Sequence, residues 1–187
     1  MLVDVSLSTD AWVDESRVLD VEKEALTALA HGLDACGDTF GIWSFTSTRR
    51  HHVRVAGIKA FDEPLAGAPL RRIAALRPGA YTRMGAAIRY VQQVLAANRP
   101  ERHRLLLILS DGKPHDIDHY DGRFGIEDTR KAVQEARKAG TAVFAVTIDR
   151  NASAYIPYLF GRGGYALVSR IDRLVPALPA IYRQLIQ

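Results

Sequence analysis

Cysteine is nearly absent from this chain, with Cys36 the one thiol among 187 residues. An internal disulfide is therefore excluded, and the composition suits a reducing compartment. Cys36 reads as a small residue near a helix end. Long apolar runs are missing as well: none approaches the roughly 18 residues that a membrane span needs. The N-terminus lacks the basic, apolar and cleavage-site pattern of a signal peptide. Nothing resembles a P-loop, so the common nucleotide-hydrolysing signature is absent. Together these absences predict a cytoplasmic protein with no direct membrane insertion.

What is present is ordinary for a globular protein: 48% apolar and 25% charged residues. The length suits one domain able to bury a substantial core without disulfides or metals. The net charge is +4, and arginine supplies 20 of the 25 basic residues, which favours planar recognition of carboxylate or phosphate. Arg49-Arg50-His51-His52 and Arg71-Arg72 are better explained as solvated loop and edge residues. No aromatic interleaving or nucleic-acid motif accompanies them, so no nucleic-acid partner is expected.

Strong strand and helix signals alternate. Residues 2–6 read as a short strand, followed by a helix over 16–35 whose apolar face is Val18, Val21, Ala25, Leu29 and Gly32. The run 40–45 is a strand covered on both faces, and 51–57 alternates like an antiparallel edge strand with Val53 and Val55 inward. Residues 58–81, with three prolines, predict an irregular connection. Met84, Ile88, Val91 and Leu95 mark a helix from 82 to about 97, closed by Asn98-Arg99-Pro100. Strands follow at 104–110, 141–148 and 165–169. Helices are expected at 125–140, near 153–159, and at the C-terminus through Leu174, Leu178, Ile181 and Leu185, where Pro176 and Pro179 blur the start. The segment Gly161-Arg162-Gly163-Gly164 reads as a tight approach to the last strand. The series predicts an α/β, Rossmann-like three-layer sandwich with a central six-stranded, mostly parallel sheet and one antiparallel edge strand. Only Met1, Leu2 and Val3 precede Asp4 in the first strand. So short a central strand suggests that residues 1–187 are a single domain excised from a longer protein.

In such a sheet, ligands bind at the carboxyl ends of the strands. Asp4, Ser6 and Ser8 follow the first strand, Thr82 opens a helix, and Asp111 follows RLLLILS. All are hard oxygen donors, which suits Mg²⁺ (or Mn²⁺). The alternation in DVSLS predicts Asp4, Ser6 and Ser8 on one side of an extended segment, with Leu7 anchoring the turn from the other. The loop Gly112–Gly125 is long, at about 14 residues where roughly 2–6 are usual, and reads as a polar rim making partner contacts. Within it, His115 and His119 have a zinc-like spacing but lack further ligands. Asp116, Asp118 and Glu127 have an EF-hand-like spacing, with the glycine one place late.

Asp4-Val5-Ser6-Leu7-Ser8 matches the D-x-S-x-S motif of von Willebrand factor A (VWA) domains, and Thr82 in YTRMGAAI and Asp111 in LLLILSDG match that family's other two positions. The resemblance covers essentially the whole chain. It implies the VWA fold and a metal-ion-dependent adhesion site built from Asp4, Ser6, Ser8, Thr82 and Asp111. In that site a partner's Asp or Glu carboxylate fills an open coordination position. SDGKPHDIDHYDGRFGIEDTRKAVQEARKAG, VTID and YLFGRGGYALV further resemble the C-terminal domain of NorD/CbbO-type bacterial adaptors. That likeness implies a non-catalytic protein that brings a client, nitric-oxide reductase or Rubisco, to a MoxR-type AAA+ ATPase for activation. The alternatives are a Mg²⁺-dependent hydrolase or phosphatase, and a nucleic-acid-binding A domain. Against the first, Ser6 and Ser8 have no adjacent histidine, and no D-x-D stands at the first strand.

Overall fold

The continuous apolar runs become the middle of one sheet. In the computed structural model, which describes residues 1–13, 15–98, 103–118, 120–149 and 151–185, six strands pair side by side. They are β1 (Leu2–Asp4), β4 (Ile42–Ser47), β5 (Val53–Lys59), β6 (Arg104–Ser110), β7 (Thr141–Thr147) and β8 (Tyr165–Leu167). Their order is β5-β4-β1-β6-β7-β8, and every pairing is parallel except β4 with β5. The expected architecture and its antiparallel edge strand are both present. A separate two-stranded hairpin, β2 (Trp12–Val13) with β3 (Ser16–Arg17), leads into α1 (Val18–Ala35). That hairpin occupies the residues where the helix was expected to begin.

Alternation along each strand divides the core into two layers. Leu2, Leu106, Ile108, Val143 and Ala145 face α3 (Met84–Asn98), α4 (Gly122–Lys138) and α5 (Ile156–Phe160). Val3, Leu107, Leu109, Phe144 and Val146 face α1, α2 (Gly67–Ala74) and α6 (Leu174–Leu185). The helix α2 lies inside the stretch expected to be irregular. It is two turns long and buries only Pro69 and Ile73. A proline in the first turn forgoes an N–H that has no helical partner, so Pro69 is compatible with a helix start rather than a breaker.

Two further details differ from expectation. The buried face of α1 includes the expected Val18, Ala25 and Leu29 and also Leu19, Glu22, Leu26 and Leu33, while Gly32 is exposed. The α4 helix begins three residues before Gly125. A Cβ at Gly125 would sit 2.8 Å from the Pro114 carbonyl oxygen, so this glycine allows the helix to pack on the preceding loop. In α6, Pro179 lies within the helix. The expected helix stop at Arg99-Pro100 lies outside the described residues. The tight approach at Gly164 is real: a Cβ there would come within 2.2 Å of the Phe160 carbonyl oxygen.

The long loop after β6 is tied down by its acids. Asp116 is buried and accepts hydrogen bonds from the Ser47 hydroxyl at 2.8 Å, the Arg49 N–H at 2.9 Å and Arg83 Nε at 3.1 Å. Asp118 accepts from the Arg50 N–H at 2.7 Å and pairs with the other end of the Arg83 guanidinium. The Arg83 guanidinium also stacks over Tyr120, 4.2 Å from the ring centre. One arginine thus joins the β4–β5 turn, the loop after β6 and the segment carrying Thr82. Asp116 and Asp118 are therefore not free for the EF-hand-like arrangement, and Glu127 is occupied by the Tyr158 hydroxyl at 2.6 Å.

Removing one partner of a buried ion pair leaves the other charge uncompensated. Asp116→Ala is expected to lower stability by about 3–5 kcal/mol in equilibrium urea unfolding, whereas exposed Asp20→Ala changes it by about 0.5 kcal/mol or less. Equal, small effects for both would show that the clasp does not hold the loop.

Candidate metal centre

The strand order reverses direction between β1 and β6. The chain leaves β1 through α1 towards β4, returns across the sheet to β6, and then continues outward to β7. At such a switch point the two outgoing loops diverge and leave a crevice. Asp4 ends β1 and Asp111 follows the last residue of β6, so both carboxylates stand at this crevice.

Asp4 is fully buried. Its Oδ1 accepts the Ser6 N–H at 2.9 Å, and its Oδ2 accepts the Ser110 hydroxyl at 2.9 Å. The first of these bonds turns the chain, as Asp side chains do when they bond the backbone two residues on. The segment is consequently not extended beyond Ser6. Residues 7–10 form a 3₁₀ turn, with the Thr9 N–H donating to the Ser6 carbonyl at 3.2 Å. The turn brings Ser6 Oγ within 3.0 Å of Ser8 Oγ, and the Ser8 hydroxyl donates to Asp111 Oδ1 at 2.8 Å. Leu7 points outward and is 59% exposed, so it is not the anchor; buried Val5 and Thr9 hold the turn instead.

Thr82 arrives on the loop before α3. Its backbone exchanges hydrogen bonds with His115, at 2.8 and 3.1 Å, and its hydroxyl acts on Asp4. All five expected residues, from three separate stretches of chain, are therefore linked directly or through one another. His115 serves here through its backbone, and His119 lies outside the described residues. Among the described residues no three His, Cys, Asp or Glu side chains converge closely enough to share an ion directly. The donor set is two carboxylates and three hydroxyls, all oxygen, which matches a small hard cation rather than zinc.

Three residues near the site were not anticipated. Ser110 could have been read from its place at the end of a buried strand. Asp149, after β7, accepts the Tyr155 hydroxyl at 2.7 Å and adds its charge to the field at Asp111. Glu22 in α1 is 1% exposed, with neither carboxylate oxygen hydrogen-bonded among the described residues. Its only sequence signal is an acid placed in an apolar helical stripe.

The electrostatics are those of crowded anions. Burial raises the Asp4 carboxyl above its ordinary range, and bonds from Ser6, Ser110 and Thr82 pull it partly back. Burial, then the Asp4 charge, raises Asp111. Glu22 is pushed well up by burial and by the charges of Asp111 and Asp4. Away from this edge, a cavity of about 310 Å³ lined by Met1, Phe40, Trp43 and Leu95 carries none of the five residues.

A family model described as the von Willebrand factor type A domain matches residues 1–157. A protein named NorD from Brucella melitensis is 62% identical over 185 residues, covering 99% of this chain and 29% of its own length. Another of that name from Stutzerimonas stutzeri is 49% identical over 169 residues, 90% of this chain and 28% of its own. The chain thus spans under a third of the length of these relatives. Among solved structures, the pilus adhesin SpaC from Lactobacillus rhamnosus GG superposes with a TM-score of 0.76 at 15% identity, over 99% of this chain and 30% of its own. A mussel byssus matrix protein with zinc in its MIDAS motif gives 0.67 at 15% identity, over 96% of this chain and 45% of its own. Manganese-loaded TRAP from Plasmodium vivax gives 0.65 at 17% identity, over 96% and 71%.

A carboxyl whose pKa is higher folded than unfolded contributes stability at low pH and loses it as pH rises through the folded value. Asp4, Asp111 and Glu22 all shift that way. In EDTA, the thermal midpoint is expected to fall between about pH 5 and 8. Asp111→Asn, which removes one charge, should flatten that fall; identical slopes in both proteins would contradict the crowding.

Proposed function

The chain belongs to the von Willebrand factor type A domain family, and from that membership we propose that it is a protein-binding module whose grip depends on a divalent cation. Asp4, Ser6, Ser8, Thr82 and Asp111 would hold Mg²⁺ or Mn²⁺. When bound, the ion supplies positive charge at an edge that otherwise carries only buried acids. The observation that carries this reading is the meeting of two raised carboxylates and three hydroxyls at the switch point between β1 and β6. Hydroxyls leave part of a dication's charge uncompensated, so an incoming Asp or Glu carboxylate gains more there than water does. Burying that carboxylate without the ion would be unfavourable, which makes docking conditional on metal.

The surroundings of the site support a protein as the partner. Leu7, Trp12, Ile117 and Phe124 are large apolar side chains, each at least half exposed, on the loops that leave β1 and β6 and in the first turn of α4. Exposed apolar groups gathered beside a functional edge are characteristic of protein interfaces. The loops 9–16, 77–83 and 112–125 would ring the contact. Among the described residues no helix is long and apolar enough to cross a membrane.

By its likeness to NorD-named proteins, the chain is proposed as the C-terminal domain of a longer cytoplasmic adaptor. That adaptor would present a client, nitric-oxide reductase or Rubisco, to a MoxR-type AAA+ ATPase. The binding role needs no nucleophile, and Ser6 and Ser8 are engaged with each other and with Asp111 rather than with a base.

Two measurements test this. Mg²⁺ or Mn²⁺ should raise the thermal midpoint of the chain by mass action on the folded state, and Ser6→Ala or Asp111→Ala should abolish that rise. In the full adaptor, Asp4→Ala, Thr82→Ala or EDTA should stop client activation while the ATPase still hydrolyses ATP. A complex that forms equally well in EDTA, or metal-dependent turnover of phosphoesters, would overturn the binding reading.

A further inference from the structure

Among the described residues, Glu22 is the one buried acid that neither the fold nor the five-residue site accounts for. It sits four residues into α1, between Val18 and Leu26 on the face turned to the sheet. The start of α1 is bonded to the loop carrying the two serines, through the Val18 N–H and the Ala11 carbonyl at 3.0 Å. Glu22 is therefore carried on the helix that is bonded to that loop, with Asp111 and Asp4 close enough to act on it.

Neither protonation state is satisfied by the described residues. An ionised carboxylate needs donors or a counter-charge, and no described lysine or arginine pairs with it. A neutral carboxyl carries an O–H that needs an acceptor, and neither oxygen has a described partner. Thr129 and Thr141, elsewhere in the fold, also have unpaired hydroxyls among the described residues, but those are neutral groups; an unpaired buried acid beside two others is much more costly. A cation at the crevice, or water held by it, would meet the need from the side of Asp4 and Asp111.

We propose that Glu22 is a sixth member of the cation site, a positioning residue that acts from α1 through water bound to the ion. Direct ligation is disfavoured because no three acids converge on one point. With Asp4, Asp111 and Glu22 all ionised, three negative charges face a dication, so the chain retains the ion before any partner carboxylate arrives. This rests on the metal-dependent reading above and assigns it a residue that the D-x-S-x-S, Thr and Asp pattern does not contain.

The test is Mn²⁺ affinity of the 187-residue chain without partner, by titration calorimetry or by the EPR signal of free Mn²⁺. Losing a group that orients a metal's water or ligand commonly weakens affinity by about 10–100-fold, and that is expected for Glu22→Gln. In EDTA the same variant should melt higher than wild type, because the unpaired acid is gone. If Glu22→Gln does not fold, Glu22→Leu fills similar volume within the apolar stripe and gives the same readout. Wild-type Mn²⁺ affinity in either variant, with a midpoint raised equally in EDTA and in Mn²⁺, would overturn the proposal and leave the five-residue site standing. A wild-type chain that binds no Mn²⁺ would overturn both.

Discussion

Asp4 is the group on which the upper edge of this protein depends. It is a buried carboxylate at the end of the central strand, and each of its oxygens is committed to a different element. One turns the backbone into the segment carrying Ser6 and Ser8; the other reaches across to Ser110 on the adjacent strand. Replacing those bonds with water is not open to a group with no exposed surface. The bonds therefore set the direction of the loop and the spacing of the two strands together. Once Asp4 is placed, Ser8 meets Asp111, and the crevice closes into a cluster of oxygen atoms.

That cluster is electrostatically expensive. Burial raises Asp4, the Asp4 charge adds to the rise of Asp111, both act on Glu22, and Asp149 adds to the field from the next strand. A fold whose purpose was stability alone would gain little from gathering acids where water is scarce. The arrangement supports the proposed site, in which a cation would complete the charge balance and a partner's carboxylate would complete the coordination. The apolar residues around the edge then supply contact area that the ion cannot.

The loop after β6 shows how the same chemistry serves structure a few residues away. Asp116 and Asp118 look equally suited to a metal, yet they are satisfied internally by Arg83, Ser47 and two backbone N–H groups. Arg83 is the neighbour of Thr82, so this clasp sets where the threonine stands. The contrast between a paired acid and an unpaired one separates the scaffold from the site here.

The sequence alone determined the strand runs, the antiparallel edge strand and most helix faces, and it nominated the five oxygen-bearing residues as candidates. Each of these is written in local periodicity or in a short motif. RLLLILS is apolar at successive positions because both faces of β6 are covered. The weak signals were the short ones: α2 has two buried residues, too few to define a period, and the β2–β3 hairpin has only two residues per strand. Only the tertiary structure decided that Ser8 meets Asp111 and that Asp4 reaches Ser110, because those partners come from another strand. It also decided that Leu7 faces outward, that Asp116 is spent on Arg83, and that Glu22 lies near Asp111. These include contacts between residues up to 106 positions apart. Local pattern cannot report them, because an acid has the same spacing in a sequence whether it meets an arginine, another acid or an ion.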